Sequence, residues 1–336
     1  MRWTVKTGLV IMCLAVLAAF GGATYQAIGT RVDEHRSPEP GVLVDIGGYR
    51  LKIFCVGAGS PTVVLESGLG DISVEWQPVQ SVIAHFARIC AYDRAGYGGS
   101  DAGPMPRTSA TIAKELHTVL QRAGEKPPFV LVGHSFGGYN VRVFNGKYSN
   151  EVAGLVLVDS VQEDEYKLLP PAWKQFSADL LNHYERQART APLLINLGIA
   201  RLMLQSRGGL HPNDYLILQA KYLRARASEL KNIQTSAEQA RAAGLIGDKP
   251  LIVLTAGRSL DSTPIPGLSP KDLMDSQRIW AEDLQPRLAH LSTRGKQVNV
   301  LDSGHDIPGE RPDVVVEAVR GLCNAAAPHR ETRYNR

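Results

Sequence analysis

The stretch Pro127-Pro128-Phe129-Val130-Leu131-Val132-Gly133-His134-Ser135-Phe136-Gly137-Gly138 decides the fold. Its apolar run suits a buried parallel strand, breaks at Gly133, presents Ser135 and re-enters a helical pattern after Gly137. Strand, tight glycine-flanked turn and helix together lift a serine hydroxyl above a sheet, and the helix N-terminus favours negative charge developing there. Gly-x-Ser-x-Gly alone is a weak motif, equally at home in an ordinary turn. Its flanks give it weight.

On both sides of the motif, short apolar runs alternate with helical patterns, the signature of an α/β protein. Strands are expected at 42–45, 49–55, 62–66, 89–92, 129–132, 154–158, 251–255 and 298–301, the first two joined as a hairpin through Gly47-Gly48. Helices are expected at 74–87, 109–123, 138–148, 276–291 and 312–325, with Gly124 as a C-cap. Residues 162–247 break this alternation. They hold no strand-like run and read as an inserted helical cap, with helices at 171–187, 191–205 and 213–243. The most apolar part of the cap, residues 192–204, suits three roles: packing on other cap helices, lining a substrate entrance or touching a bilayer.

The chain has 336 residues, enough for one large domain or two modest ones. Hydrophobic residues at 44% and charged residues at 21% describe a globular protein and exclude a disordered one. The net charge of +4 is mild, the basic residues form no long run and no nucleic-acid motif is present, so no nucleic-acid partner is expected. The N-terminus stands apart. Arg2 and Lys6 precede an apolar run from about Gly8 to Ala23 that suits either a membrane-spanning helix or the core of a signal peptide cleaved near Gly21 and Ala23. Basic residues before the run put the N-terminus in the cytoplasm and the body outside it, anchored or released by cleavage.

The resulting division is 1–29 as anchor or signal, 30–41 as a charged, proline-bearing linker, 42–161 with 248–327 as the core, 162–247 as the cap and 328–336 as a polar tail. Four cysteines make no disulfide scaffold; Cys55 and Cys90 lie in strand-like runs and are either a pair or two buried thiols. No Cys/His spacing suggests a metal site.

A serine hydroxyl is a poor nucleophile at neutral pH and needs a histidine base oriented by a carboxylate. Val298-Asn299-Val300-Leu301-Asp302-Ser303-Gly304-His305 supplies His305 on a glycine-bearing loop between the last strand and the last helix. The other histidines fit less well. His85, His117, His183, His211 and His290 fall in helical patterns or the cap, His35 and His329 in terminal segments, and His134, beside the serine, should point elsewhere.

Gly133-His134-Ser135-Phe136-Gly137 with Ser303-Gly304-His305 resembles the α/β-hydrolase superfamily, and Tyr92-Asp93-Arg94-Ala95-Gly96-Tyr97-Gly98-Gly99-Ser100-Asp101 is similar to its turn after the fourth strand. The resemblance covers roughly residues 42–325. It implies an eight-stranded, mostly parallel sheet flanked by helices, the nucleophile after strand five and a helical cap inserted after strand six. It also implies an oxyanion hole made by the backbone N–H of Phe136 and by one from Glu66-Ser67-Gly68-Leu69-Gly70, where Leu69 is the best match and Ser67-Gly68 replaces the usual His-Gly. The family most often takes its acid from after strand seven, here Asp261, one residue later than the commonest spacing. A minority take it from the end of strand six, here Asp159. Both stay open, with Asp164 behind them. Asp93 and Arg94 are expected to hold the loops around the nucleophile rather than to react.

These residues imply a serine hydrolase that cleaves a carboxylic ester or related acyl compound, a small molecule, without metal or cofactor. A serine nucleophile argues against the dehalogenase and epoxide-hydrolase branches, which use aspartate there. Acyl transfer and a cofactor-free haloperoxidase-like activity share the fold, and an idle member would be a binding protein.

Overall fold

Strands β3 (Thr62–Glu66) and β5 (Phe129–His134) are buried at every residue, as a strand covered on both faces must be. They pair in parallel at the centre of an eight-stranded sheet. The other strands are β1 (Val42–Asp45), β2 (Arg50–Val56), β4 (Arg88–Tyr92), β6 (Val152–Val158), β7 (Leu251–Ala256) and β8 (Gly295–Val300). Their order is β1-β2-β4-β3-β5-β6-β7-β8; β2 is antiparallel to both β1 and β4, and the remaining pairs are parallel. The chain leaves β3 toward β4 on one side and returns to β5 on the other. The C-terminal ends of β3 and β5 thus flank a topological switch point, where open α/β sheets form crevices.

The computed structural model describes residues 2–206, 208–211, 213–258 and 265–326, with the side chains of 2–4 excepted. The polar tail expected at 328–336 lies outside the described residues. The helices are α1 (Arg2–Arg36), α2 (Gln77–Ile83), α3 (Ser109–Arg122), α4 (Gly137–Lys147), α5 (Glu165–Leu168), α6 (Pro171–Asn196), α7 (Ile199–Gln205), α8 (Asp214–Ile217), α9 (Ala220–Lys231), α10 (Ile233–Ala242), α11 (Pro270–Ile279), α12 (Gln285–Ala289), α13 (Ile307–Glu310) and α14 (Pro312–Ala326). One core layer packs the sheet against α3, α4 and α10 through Ile112, Leu116, Val141, Phe144 and Ala237. The other packs it against α2 and α14 through Val79, Ile83, Val315 and Val319. A separate apolar cluster of Tyr97, Ile195, Tyr215, Leu216, Tyr222 and Leu223 joins the helices between β6 and β7 to the loop after β4.

Several boundaries differ from expectation, each for a local reason. Residues 30–36, expected in the linker, are helical; α1 ends at Arg36, two residues before a proline. The first core helix starts as a 3₁₀ turn (Ser73–Trp76), with Pro78 near the start of α2 where a missing N–H costs nothing. Helix α6 runs through Pro192, and the break expected near 191 comes instead at Gly198, whose φ of 68° is left-handed. The single helix expected over 276–291 is interrupted by a π-helical turn, Trp280–Leu284. Strand β8 begins at Gly295 rather than 298, because its polar first residues belong to a solvent-facing edge. Cys55 and Cys90 oppose one another in the β2–β4 register and form a disulfide, which closes the choice between a pair and two thiols.

Candidate active site

Ser135 follows the last residue of β5 and directly precedes Phe136, the N-cap of α4. Its φ of 51° and that of Asp159, 42°, are the positive values at non-glycine positions among the described residues. Such backbones cost on the order of 1–3 kcal/mol each and persist where surrounding structure holds them. At Ser135 the hold is the Ser135 N–H, which donates to Val158 O at 3.0 Å, and a turn closed by Gly138 N–H to Ser135 O at 3.0 Å. Gly137 is required for contact: a Cβ there would fall 2.4 Å from Glu66 O at the end of β3.

His305 lies on the loop after β8, its side chain about half exposed. Its Nε2 is 3.0 Å from Ser135 Oγ and its Nδ1 is 2.6 Å from Asp159 Oδ2. Asp159 is 3% exposed and follows β6 directly; its other oxygen, Oδ1, accepts from Ala256 N–H at 2.9 Å and Trp280 Nε1–H at 2.8 Å. The structure brings Asp159 to the histidine. Asp261 lies outside the described residues. Asp164 is bound instead to Lys167, Arg241 and Arg287. Burial pulls the His305 pKa down, but the bonded Asp159 carboxylate, with Asp71 and Glu165 nearby, more than reverses this and holds it above the ordinary histidine value.

The loop after β3 lies beside Ser135. A Cβ on Gly68 would come within 3.3 Å of Ser135 Cβ. Ser67, standing where the family has histidine, accepts from Trp76 Nε1–H at 2.9 Å through its hydroxyl. Arg94 donates to Ser67 O at 2.8 Å and Gly68 O at 2.7 Å. Because a trans peptide points its C=O and N–H in opposite directions, pulling Gly68 O toward Arg94 turns the Leu69 N–H away from it. The Phe136 N–H, at an N-cap, has no acceptor within its own helix.

Arg94 also reaches the cap. Its Nε and Nη2 donate to Glu229 of α9 at 2.9 and 3.0 Å, Nη1 donates to Glu66 at 3.1 Å, and Tyr97 Oη–H donates to Glu229 at 2.6 Å. All four side chains are nearly inaccessible to solvent. Burial raises the Glu66 pKa against the opposing pull of Arg94, as expected where two carboxylates share one guanidinium. Asp93 meanwhile accepts from the N–H groups of Ser73 and Gly99.

Four contributors escape a reading of the sequence. Trp280 steadies Asp159, and Glu229 joins the cap to the loop after β3. His134 is the third: its Nε2 lies 3.0 Å from His305 O and its Nδ1 3.4 Å from Asp71, so it braces the backbone of the His305 loop. The fourth is Glu165 of α5, whose carboxyl burial pushes up to about 7 in the field of His305. Asp71 feels burial in the same sense, but His134 and Arg94 prevail and keep it below the usual carboxylate range. As for metals, the ligand atoms of Cys55, Cys90 and Glu125 lie within 4.8 Å of one another, but the disulfide occupies both sulfurs and Arg88 binds the carboxylate.

Residues 61–239 match the alpha/beta hydrolase fold family, more than half of the chain, and the protein belongs to that family. Two solved structures share the architecture. An esterase from Thermogutta terrifontis superposes with a TM-score of 0.59 at 21% identity, covering 86% of this chain and all of the esterase. A variant of a Pseudomonas aeruginosa protein named for epoxide hydrolysis superposes with a TM-score of 0.62 at 18% identity, covering 85% and 95%. Among curated relatives, efuK of Hormonema carpetanum, named as a transporter, is 35% identical over 142 residues. That match takes in 40% of this chain and only 20% of efuK. Family and fold together support a hydrolase acting on a small molecule. Val5–Arg36 is, by length and composition, an apolar helix able to cross a membrane.

Proposed function

We propose that the protein is a serine hydrolase of the carboxylesterase type, with Ser135 as nucleophile, His305 as base and Asp159 as the orienting acid. The observation that carries this reading is the continuous hydrogen-bonded line from Ser135 Oγ through both ring nitrogens of His305 to Asp159, at 3.0 and 2.6 Å. Ser135 Oγ attacks the ester carbonyl while its proton passes to His305 Nε2. The Leu69 and Phe136 amides hold the oxyanion, and Asp159 stabilises the imidazolium. His305 then protonates the departing alkoxide. Water attacks the acyl-enzyme, giving its proton to the same nitrogen, which returns it to Ser135 as the acid leaves. Serine rather than aspartate at the turn favours this chemistry over epoxide opening.

In this reading residues 162–247 form a cap over the site, the core is made of 42–161 with 248–327, and α1 anchors a body lying outside the cytoplasm. The Cys55–Cys90 disulfide favours an oxidising compartment. Labelling with a fluorophosphonate probe tests the mechanism. Wild type should label, and folded Ser135→Ala and His305→Ala should not. A folded wild type that fails to label would overturn it.

A further inference from the structure

The helical segment between β6 and β7 carries an apolar corner that none of the described residues covers. Leu193 and Leu194 at the end of α6, and Ile199, Leu202 and Met203 in α7, are 65, 40, 38, 54 and 46% exposed. Across residues 192–205 the one charged side chain, Arg201, is turned inward: it is 3% exposed and ion-paired with Asp33 of α1 at 2.7 Å. A stretch of this length with no outward charge is unusual for a surface in water.

Its position relative to α1 says what covers it. Helix α1 is apolar on every face from Gly8 to Ala23, which suits lipid around it rather than a protein groove along one side. With Val5 at one edge of a hydrocarbon layer, roughly 20 residues at about 1.5 Å each bring the helix to Thr24 at the other edge. Just inside that edge α1 touches the cap. The backbones meet so closely that a Cβ on Gly22 would fall 2.2 Å from Leu197 O, in the joint between α6 and α7. One turn further on, Tyr25 Oη–H donates to Gln205 at 2.5 Å, and Gln26 and Thr30 accept from Arg201. The polar contacts therefore begin where the apolar span ends, and the exposed leucines flank that level.

We infer that the α6–α7 corner is a membrane-contacting surface: Leu193, Leu194, Ile199, Leu202 and Met203 enter the lipid layer beside α1 and fix the cap against the bilayer. The partner is a phospholipid surface, met chiefly through its acyl region, since this corner offers side chains without outward charge. The inference rests on the reading of α1 as an anchor but not on the hydrolase reading, and its test uses no turnover.

The full chain, reconstituted in phosphatidylcholine–phosphatidylglycerol vesicles, is spin-labelled at Leu193→Cys, Leu202→Cys or, as a control, Leu245→Cys. Leu245 is 74% exposed in the connection before β7. A Cys13→Ser background removes the exposed native thiol, and that parent protein supplies the blank for buried Cys323. Labels at 193 and 202 should collide with oxygen, relative to a water-soluble nickel chelate, several-fold more often than the label at 245. Ratios equal to that at 245 would place the corner in water and overturn the inference. Low collision with both reagents, plus spin–spin broadening that vanishes on dilution with unlabelled chain, would assign the corner to a second copy and overturn it equally.

Discussion

Helices α4 and α6 show how differently this protein holds its two halves. Nine of the eleven residues of α4 are buried, because it lies behind Ser135 between the sheet and α10. Of the twenty-six residues of α6 only Pro192 and Ile195 are buried. Ser135 sits at the head of the first helix, in a backbone conformation that tight packing enforces. Helix α6 presents long solvated faces, and its segment meets the core instead through α9 and α10, where the Arg94–Glu229 pair is buried. Tight packing is concentrated at the strand ends, and α6 lies mostly in solvent. Substitutions should separate accordingly: at the strand ends they cost rate, and at the cap joint they cost stability.

The largest expected effect is on rate alone. Ser135→Ala should lower kcat by roughly 10⁶-fold, with the thermal midpoint unchanged or raised because the strained turn loses no packing; equal loss of stability would break the contrast between the regions. Asp159→Asn comes next, with a fall in kcat of roughly 10³–10⁴-fold. Without the carboxylate, His305 loses the chief cause of its raised pKa, so the acid limb of kcat/KM should move to lower pH. Asp261→Asn, assayed alongside, should leave both quantities near wild type. The reverse pattern would transfer the acid's role to Asp261.

At the joint, Glu229→Ala leaves the buried Arg94 guanidinium without its bidentate partner. Removing one member of such a pair costs about 3–5 kcal/mol, read as a fall in the denaturation midpoint. Glu229→Gln, which keeps hydrogen-bonding capacity, should lose less. A Glu229→Ala protein as stable as wild type would mean that the cap is not fastened here. Trp280→Phe sharpens the comparison from the other side. It removes one of the donors to Asp159 while keeping an aromatic ring, and kcat should drop by roughly 10-fold, about 1.4 kcal/mol in the barrier. An unchanged kcat would show that Ala256 N–H alone suffices to orient the carboxylate.

The same contrast governs what the sequence discloses. Buried strands such as β3 and β5 are continuous apolar runs, and the turn at Ser135 leaves a local glycine pattern, so the core and two members of the proposed triad can be read directly. The choice of acid could not be made because β6 and β7 are neighbours, with Val158 opposite Leu254. Two strand ends so close together can each offer a carboxylate to one histidine nitrogen, and spacing does not rank them. Trp280 was hidden for another reason. The π-helical turn that begins at this residue disrupts the helical period on which a prediction of its facing would rest. Glu229 binds Arg94 across 135 residues of chain, and nothing local in α9 announces that contact. The break expected between 187 and 191 is absent, because α6 runs on through Pro192 to Asn196 and turns only at Gly198.

The smallest effect expected lies where the two regions touch. Glu165 belongs to the first cap helix yet acts on His305, and burial pushes its carboxyl up to about 7. In the unfolded chain it would ionise near 4.5, so the folded state binds its proton more tightly. That contribution to stability is present at low pH and is lost as pH rises through about 7. Glu165→Gln keeps the neutral form at every pH. It should therefore match wild type in stability at acid pH and exceed it above neutrality. In turnover the sign is opposite in origin: ionised Glu165 helps to raise the His305 pKa, so its removal should shift the acid limb of kcat/KM slightly downward, by less than Asp159→Asn does. A pH–rate profile identical to wild type would mean that Glu165 exerts no electrostatic influence on His305. The fastening at Glu229 would then be the chief link between the helices after β6 and the site.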